Sequence, residues 1–167
     1  MPESPARAVV INTSPSLALI AALGDLSALQ LLYHRVVVPH TVQEELLAAG
    51  GAGFGIEAFT AAQFLERQTS PVEITPLLRA SLDRGEAEVI ATAQALGIPL
   101  VCIDEVKGRR IARLSGLQVT GSVGILLKLK AGGHLPLVKP CIARMRERGI
   151  WLSVELEQQA LILSDEA

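Results

Sequence analysis

The chain has 167 residues, of which 50% are hydrophobic and 3% aromatic, and its formal net charge is −2. This length fits one domain whose aliphatic core needs neither disulfides nor a structural metal, and the small net charge excludes a protein that coats long stretches of nucleic acid. The two cysteines lack the spacing of a metal site, the N-terminus lacks the pattern of a secretory signal, and no uninterrupted apolar run is long enough for a membrane helix.

We therefore expect a single domain over residues 1–167 that is reduced, cytoplasmic and not bound to a membrane. The first half of the chain alternates strands with helices. The predicted elements are a strand over residues 8–12, a helix over 16–22, a short helix over 26–32, a strand over 35–38 and a helix over 41–48. Ser14 is the predicted N-cap of the first helix. Thr41 and Glu44 have the spacing of a capping box, and the glycine-rich segment 50–55 predicts a flexible loop.

The second half continues the same alternation. It predicts helices over residues 56–65, 76–82 and 86–96, a strand over 100–103, a helix over 106–114, a strand over 118–119, a helix opened by 120–122, and helices over 141–148 and 154–162. Short strands separated by helices predict an α/β fold of three layers, in which helices cover both faces of a central parallel sheet.

Polar side chains end two of the predicted strands. Asn12 follows the first strand, and Asp104 follows the strand over residues 100–103. In open parallel sheets, ligands and reacting groups collect at the carboxyl ends of the strands. A carboxylate and an amide at this edge outline part of a metal site.

Two glutamates interrupt apolar helix faces when the helices are turned at 100° per residue. Glu45 and Glu86 lie on faces that should pack against the sheet, whereas Glu44 and Glu88 are predicted to point away. Buried carboxylates pair, protonate or bind a cation, and no lysine or arginine shares these faces. A shared cation, with Asp104 completing the site, is the economical explanation.

Each of these residues also has a purely structural explanation. Glu86 would suit the positive end of its helix dipole, and Glu45 could reach solvent at the edge of the sheet. Asp104 could cap the next helix, and Asn12 could stabilise the turn before the first helix. The convergence of all four at one predicted edge favours a functional site.

The order and spacing of several segments resemble the PIN-domain family, specifically the VapC-like toxin ribonucleases, over most of the chain. The segments are residues 10–15, 38–46, 85–93, 100–104, 107–112 and 119–124, of which the last two are similar to one VapC-like subfamily. Glu45, Glu86 and Asp104 match three acidic positions of the family. Asn12 departs from it, because the family generally has aspartate at the end of the first strand.

The resemblance implies hydrolysis of RNA with Mg²⁺ or Mn²⁺, which favour oxygen ligands. It implies that Asp104, Glu45, Glu86 and Asn12 are the catalytic and metal-binding residues. Outer-shell candidates are Ser14, Glu88 and Glu105. The implied partners are an RNA substrate, a small antitoxin protein and a second copy of the chain in a homodimer.

Basic residues directly follow Asp104, namely Lys107, Arg109 and Arg110. They predict either a phosphate clamp beside the metal or a solvated helix face. Trp151 is predicted to be a core or interface anchor and not a base-stacking platform.

The sequence leaves two classes of function open. The first is the metal-dependent ribonuclease, which the three acidic residues favour. The second is a catalytically weak or inactive PIN-fold module that binds RNA or a partner protein, which Asn12 and the acidic balance of charge favour. A third class, a response-regulator-like signalling domain, would need a lysine at the end of a later strand. Thr120 follows the last predicted strand instead, so the sequence disfavours this function.

Overall fold

The computed structural model describes residues 7–49 and 54–167. Its strands are β1 (Ala8–Ile11), β2 (Arg35–Val38), β3 (Glu66–Arg67), β4 (Leu100–Cys102) and β5 (Gln118–Thr120). Its α-helices are α1 (Thr13–Leu23), α2 (His40–Ala49), α3 (Ile56–Ala61), α4 (Pro76–Ser81), α5 (Arg84–Leu96), α6 (Val106–Leu114), α7 (Ser122–Ala131), α8 (Lys139–Glu147) and α9 (Val154–Leu163). A 3-10 helix covers Ser27–Leu31.

The strands form one parallel sheet in the order β3-β2-β1-β4-β5. The three central strands are continuous apolar runs, as expected for a parallel sheet that is buried on both faces. Their residues that are at most 1% exposed are Val9, Val10, Ile11, Val36, Val37, Val38, Val101 and Cys102. Crossover connections of this kind are right-handed. The chain passes from β1 to β2 towards one edge of the sheet and from β4 to β5 towards the other edge. The helices of these two connections, α1 and α6, therefore cover opposite faces of the sheet.

The helices complete the three predicted layers. Helix α1 packs against α7 and α8, while α5 packs against β1, β4 and α6. The core between the layers is almost entirely aliphatic, as the composition predicted. The three-layer α/β/α architecture with a central parallel sheet is therefore confirmed. Within residues 7–49 and 54–167, no helix has both the length and the apolar character needed to cross a bilayer.

Several predicted local details are wrong. Helix α1 begins at Thr13 with Asn12 at its N-cap, so Ser14 is not the cap. Helix α2 begins at His40, one residue before the predicted cap Thr41. The predicted capping box does not form, because the Thr41 hydroxyl donates to Glu88 and Glu44 is exposed.

The predicted helix over residues 56–65 ends at residue 61, and β3 follows it. Two residues are too few to carry a strand periodicity, which is why the sequence did not predict β3. Of the predicted flexible segment, residues 50–53 lie outside the described part of the chain.

Candidate metal and phosphate site

Asn12 and Asp104 lie at the same edge of the sheet because they follow neighbouring parallel strands. Ile11 of β1 is level with Cys102 of β4, and the backbone N–H of Asn12 donates to the Cys102 carbonyl oxygen at 3.1 Å. Asn12 is only 4% exposed, and its side chain makes no capping hydrogen bond to α1. The amide therefore stays a candidate ligand.

Asp104 is held by the first residue of α7. Its Oδ1 accepts a hydrogen bond from the Ser122 backbone N–H at 2.7 Å, and its Oδ2 accepts one from the Ser122 hydroxyl at 2.9 Å. Glu105 occupies the N-cap position of α6, so Asp104 is not the cap of that helix. Ser122, which the sequence analysis did not single out as a ligand or positioning residue, orients the carboxylate and leaves it further acceptor capacity.

Glu45 lies on the inward side of α2, as predicted. Its side chain is half-buried, and Oε2 accepts a hydrogen bond from the Thr13 hydroxyl at 2.5 Å. Thr13 directly follows Asn12, so this bond places Glu45 beside the end of β1. The structure thereby brings together α2 and the strand-end residues that the sequence predicted to share a site.

Glu86 has the least satisfied carboxylate of the site. It is 5% exposed, and its Oε1 has no hydrogen-bond partner among the described residues. Burial, followed by repulsion from Asp83, Glu105 and Glu45, raises its pKa to about 7, although Lys107 acts in the opposite direction. A buried acceptor without a donor, among like charges, has the surroundings that a bound cation would relieve.

Glu88 is placed differently from the prediction. It is 0% exposed, and its carboxylate accepts hydrogen bonds from the hydroxyl and the backbone N–H of Thr41. The prediction that it points away from the core is wrong, because the first turn of α2 covers that side of α5. Glu88 therefore ties the helix that carries Glu45 to the helix that carries Glu86.

Three glycines make room for the three acidic residues. A Cβ on Gly85 would lie 2.6 Å from Glu45 Oε1, and one on Gly108 would lie 3.1 Å from Glu86 Oε1. A Cβ on the third, Gly121, would lie 2.7 Å from Asp104 Oδ1 and 2.8 Å from Arg109 Nη1. Gly85 and Gly108 lie inside helices, where glycine is unfavourable without a packing or functional reason. Glycines inside these predicted helices could therefore have pointed to the site from the sequence alone.

The predicted basic residues do not act alike. Arg109 is partly buried and donates from Nη1 to the Ile103 carbonyl oxygen at 2.9 Å. Burial, and then the nearby Arg113, lower its pKa. Lys107 and Arg110 are exposed. Arg109 is therefore built into the site, whereas Arg110 fits the alternative of a solvated helix face.

A groove of about 940 Å³ opens beside Asp104 and Arg109. Ser14 and Glu105, both predicted outer-shell residues, also line it. Trp151 lies on its wall and is 83% exposed. Trp151 is therefore not a core residue, and the alternative that it anchors an interface stays a prediction.

The donor set fits a divalent ion in its chemistry. Carboxylate and amide oxygens are the ligands that Mg²⁺ and Mn²⁺ prefer, and Glu86 Oε1 is a buried acceptor to which no residue of the described chain donates. Across residues 7–49 and 54–167, however, no three histidine, cysteine, aspartate or glutamate side chains converge closely enough to hold an ion. Glu45 lies near enough to Glu86 to raise its pKa, whereas Asp104 is held by its hydrogen bonds to Ser122 at the start of α7.

Comparisons with known proteins identify the family of this fold. A search of curated proteins finds no match to the chain. A family model described as a PIN domain matches residues 8–166, which takes in every strand and all the residues of the site. PIN domains are generally nucleases that use divalent metals. The protein belongs to the PIN-domain family.

Proposed function

We propose that this protein is a divalent-metal-dependent endoribonuclease of the VapC-like toxin type. The observation that carries the proposal is the buried Oε1 of Glu86, which has no hydrogen-bond partner in the described part of the chain, beside a second carboxylate, Glu45, at the carboxyl edge of a PIN-domain sheet. Isolating a carboxylate in this way costs stability unless a cation or a reaction uses it. The same edge carries Asp104 and the amide of Asn12.

Glu45, Glu86 and Asp104 would hold a Mg²⁺ or Mn²⁺ ion, with the amide oxygen of Asn12 as an uncharged fourth donor. Because these carboxylates do not converge closely enough within residues 7–49 and 54–167 to ligate one ion directly, some of them would bind it through its waters. Such an ion lowers the pKa of a bound water and neutralises charge that develops on a phosphate. Three carboxylates balance one dication with one negative charge to spare, so a single ion suits this chain.

The other residues orient substrate and ligands. Thr13 holds Glu45, and Ser122 holds both oxygens of Asp104, so these carboxylates are positioned before any ion arrives. Arg109, fixed by its bond to the Ile103 carbonyl, would face the phosphate next to the scissile bond. Preorganised charges of this kind need no rearrangement during the reaction.

The test is an RNA cleavage assay with Mn²⁺ on the wild type, Asp104→Asn and the control Glu44→Gln. Glu44 is exposed on the same helix as Glu45, so its variant should cut total RNA at the wild-type rate, whereas Asp104→Asn should not cut. Cleavage by Asp104→Asn at the wild-type rate would show that a contaminant or another site is responsible.

A second function is a catalytically weak PIN-fold module that binds RNA or a partner protein. Asn12 stands where the family has a carboxylate, and both Asp104 oxygens already accept hydrogen bonds. If neither wild type nor control cuts any RNA, this function replaces the first. With the toxin function we also propose that the protein is a cytoplasmic homodimer that a small antitoxin protein neutralises. Native mass spectrometry of the protein co-expressed with the product of its neighbouring gene would test both associations.

A further inference from the structure

The last strand of the sheet, β5, has an open side. It pairs with β4 and stands at the end of the strand order. Helix α6 packs against it, but in the described part of the chain no strand continues the sheet beyond it. A free edge of this kind presents backbone N–H and C=O groups that another chain can use.

The hydrogen bonds to β4 show which backbone groups of β5 are free. The Gln118 N–H donates at 2.7 Å to the carbonyl just before β4, and the Thr120 carbonyl accepts at 3.0 Å from the N–H just after β4. In a parallel ladder, a residue that bonds to one neighbour directs both backbone groups to that side, and the next residue directs both to the other side. The N–H and C=O of Val119 therefore point away from β4, and no described residue bonds to either. Gly121 is still extended, with φ of −137°, so its N–H continues this row.

The strand at the opposite edge, β3, is protected in a way that β5 is not. It consists of Glu66 and Arg67, and Glu66 accepts two hydrogen bonds from Arg35 of β2. Charged residues and very short strands are the usual protection of an edge against further pairing. Strand β5 is one residue longer and uncharged, and valine and threonine favour extended structure. The edge that invites another strand is therefore β5.

The open edge of β5 borders the groove beside the candidate site. Val119 and Gly121 line this groove together with the connection between α8 and α9, which contributes Ile150 and Trp151. The Trp151 side chain is 83% exposed, although indole gains much from burial. An extended peptide suits this combination, because its backbone can pair with the edge while its alternate side chains cover the apolar lining.

The charge of the groove restricts the peptide further. Asp104 and Glu105 line it with a single cation among the described residues, Arg109. That guanidinium is partly buried and already donates to the Ile103 carbonyl oxygen. The described lining therefore has an excess of negative charge, which favours an occupant with a lysine or arginine and disfavours an acidic one.

We infer that β5 is a docking edge for an extended peptide segment of another protein, which adds a sixth strand to the sheet. The peptide bonds to both backbone groups of Val119 and to the Gly121 N–H, packs apolar side chains against the wall that holds Trp151, and carries a basic residue for the acidic end of the groove. The inference goes beyond the proposed ribonuclease function, since it needs neither a metal ion nor RNA.

The probe is an acetylated and amidated heptapeptide in which valine and threonine alternate around a central arginine. It is added to the full chain in EDTA without RNA. In the free protein, amide exchange followed by NMR should be slow at Gln118 and Thr120 and fast at Val119. The peptide should slow exchange at Val119 and Gly121. It should also shift the emission of Trp151, the one tryptophan in the sequence, to shorter wavelength and so report Kd.

Variants of the edge separate backbone pairing from apolar contact. Val119→Pro removes the outward N–H and spares the ladder to β4, because an edge strand tolerates proline where its N–H would face solvent. It should raise the Kd of the peptide about tenfold, since one hydrogen bond is lost and a peptide carbonyl is left without a donor. Val119→Thr keeps the N–H and the β-branched shape, so as the matched control it should bind like the wild type. Glu105→Gln should weaken binding of the arginine peptide by about threefold and leave binding of its glutamine analogue unchanged.

Four results would overturn the inference. The first is slow exchange of the Val119 amide in the free protein at low concentration, and the second is no binding of the heptapeptide at millimolar concentration. The third is equal binding of a fully N-methylated heptapeptide, which cannot donate to the edge and which gives the same test should Val119→Pro fail to fold. The fourth is protection of Val119 that appears with a doubled mass as protein concentration rises, since a second copy would then occupy the edge.

Discussion

Replacing Glu86 with glutamine should make the metal-free protein more stable at neutral and alkaline pH. Glu86 is 5% exposed, and its Oε1 has no donor among the described residues. Glutamine keeps the shape of the side chain and removes the charge that burial and the neighbouring carboxylates disfavour. A carboxylate placed for structure alone would show the opposite effect on replacement.

The magnitude follows from the pKa of Glu86, which burial and then the charges of Asp83, Glu105 and Glu45 raise from 4.5 to about 7. The folded state holds this proton more tightly than the unfolded state does. The contribution of Glu86 to the free energy of unfolding therefore falls as pH rises from 4.5 to about 7 and is level above that. A shift of this size corresponds to about 3 kcal/mol, so Glu86→Gln should be more stable by that order at pH 8 and similar to the wild type below pH 4.5.

The assay is urea unfolding of both proteins in EDTA across this pH range, with free energies from linear extrapolation. Glu73→Gln is the control, because Glu73 is exposed and its replacement should leave the pH dependence unchanged. Added Mn²⁺ should stabilise the wild type by mass action and stabilise Glu86→Gln much less. A variant that keeps the pH dependence of the wild type, or that is less stable at pH 8, would refute the argument.

Three further changes test separate parts of the structure. Gly85→Ala should weaken Mn²⁺ binding in calorimetry, because the added Cβ would lie 2.6 Å from Glu45 Oε1 and push this carboxylate aside. It should not lower stability, since alanine favours the helix over glycine by up to ~1 kcal/mol. Wild-type affinity for Mn²⁺ would contradict this. Asn12→Asp should tighten Mn²⁺ binding roughly tenfold by adding a charged ligand, and unchanged affinity in calorimetry would exclude Asn12 from the site. At Glu166, burial acts to raise the pKa, but hydrogen bonds from the Lys139 and Val138 N–H groups, Lys130 and Ser164 outweigh it and lower the pKa to about 2. Glu166→Gln should therefore cost about 1 kcal/mol near neutral pH, and the difference in urea midpoint should vanish as pH falls from 4.5 to 2; a constant difference would contradict it.

The fold was largely predictable because its signals are local in the chain. Apolar runs such as β1 and β4 and the periodicity of α5 specify strand and helix directly. The two-residue strand β3 was missed, since it exists only through its pairing with β2. The start of α2 was missed because the Thr41 side chain bonds to Glu88 on another helix.

The sequence by itself determined which acidic residues face one edge of the sheet. Helical periodicity placed Glu45 and Glu86 on inward faces, and the parallel sheet brought Asp104 to the same edge as Asn12. Only the tertiary structure decided their partners: Thr13 for Glu45, Ser122 for Asp104, and none for Glu86 Oε1 within the described residues. It likewise decided the burial of Glu88 and the exposure of Trp151. The reason is physical, because a residue's own helix or strand sets its direction, whereas burial and hydrogen-bond partners depend on which distant segment packs against it.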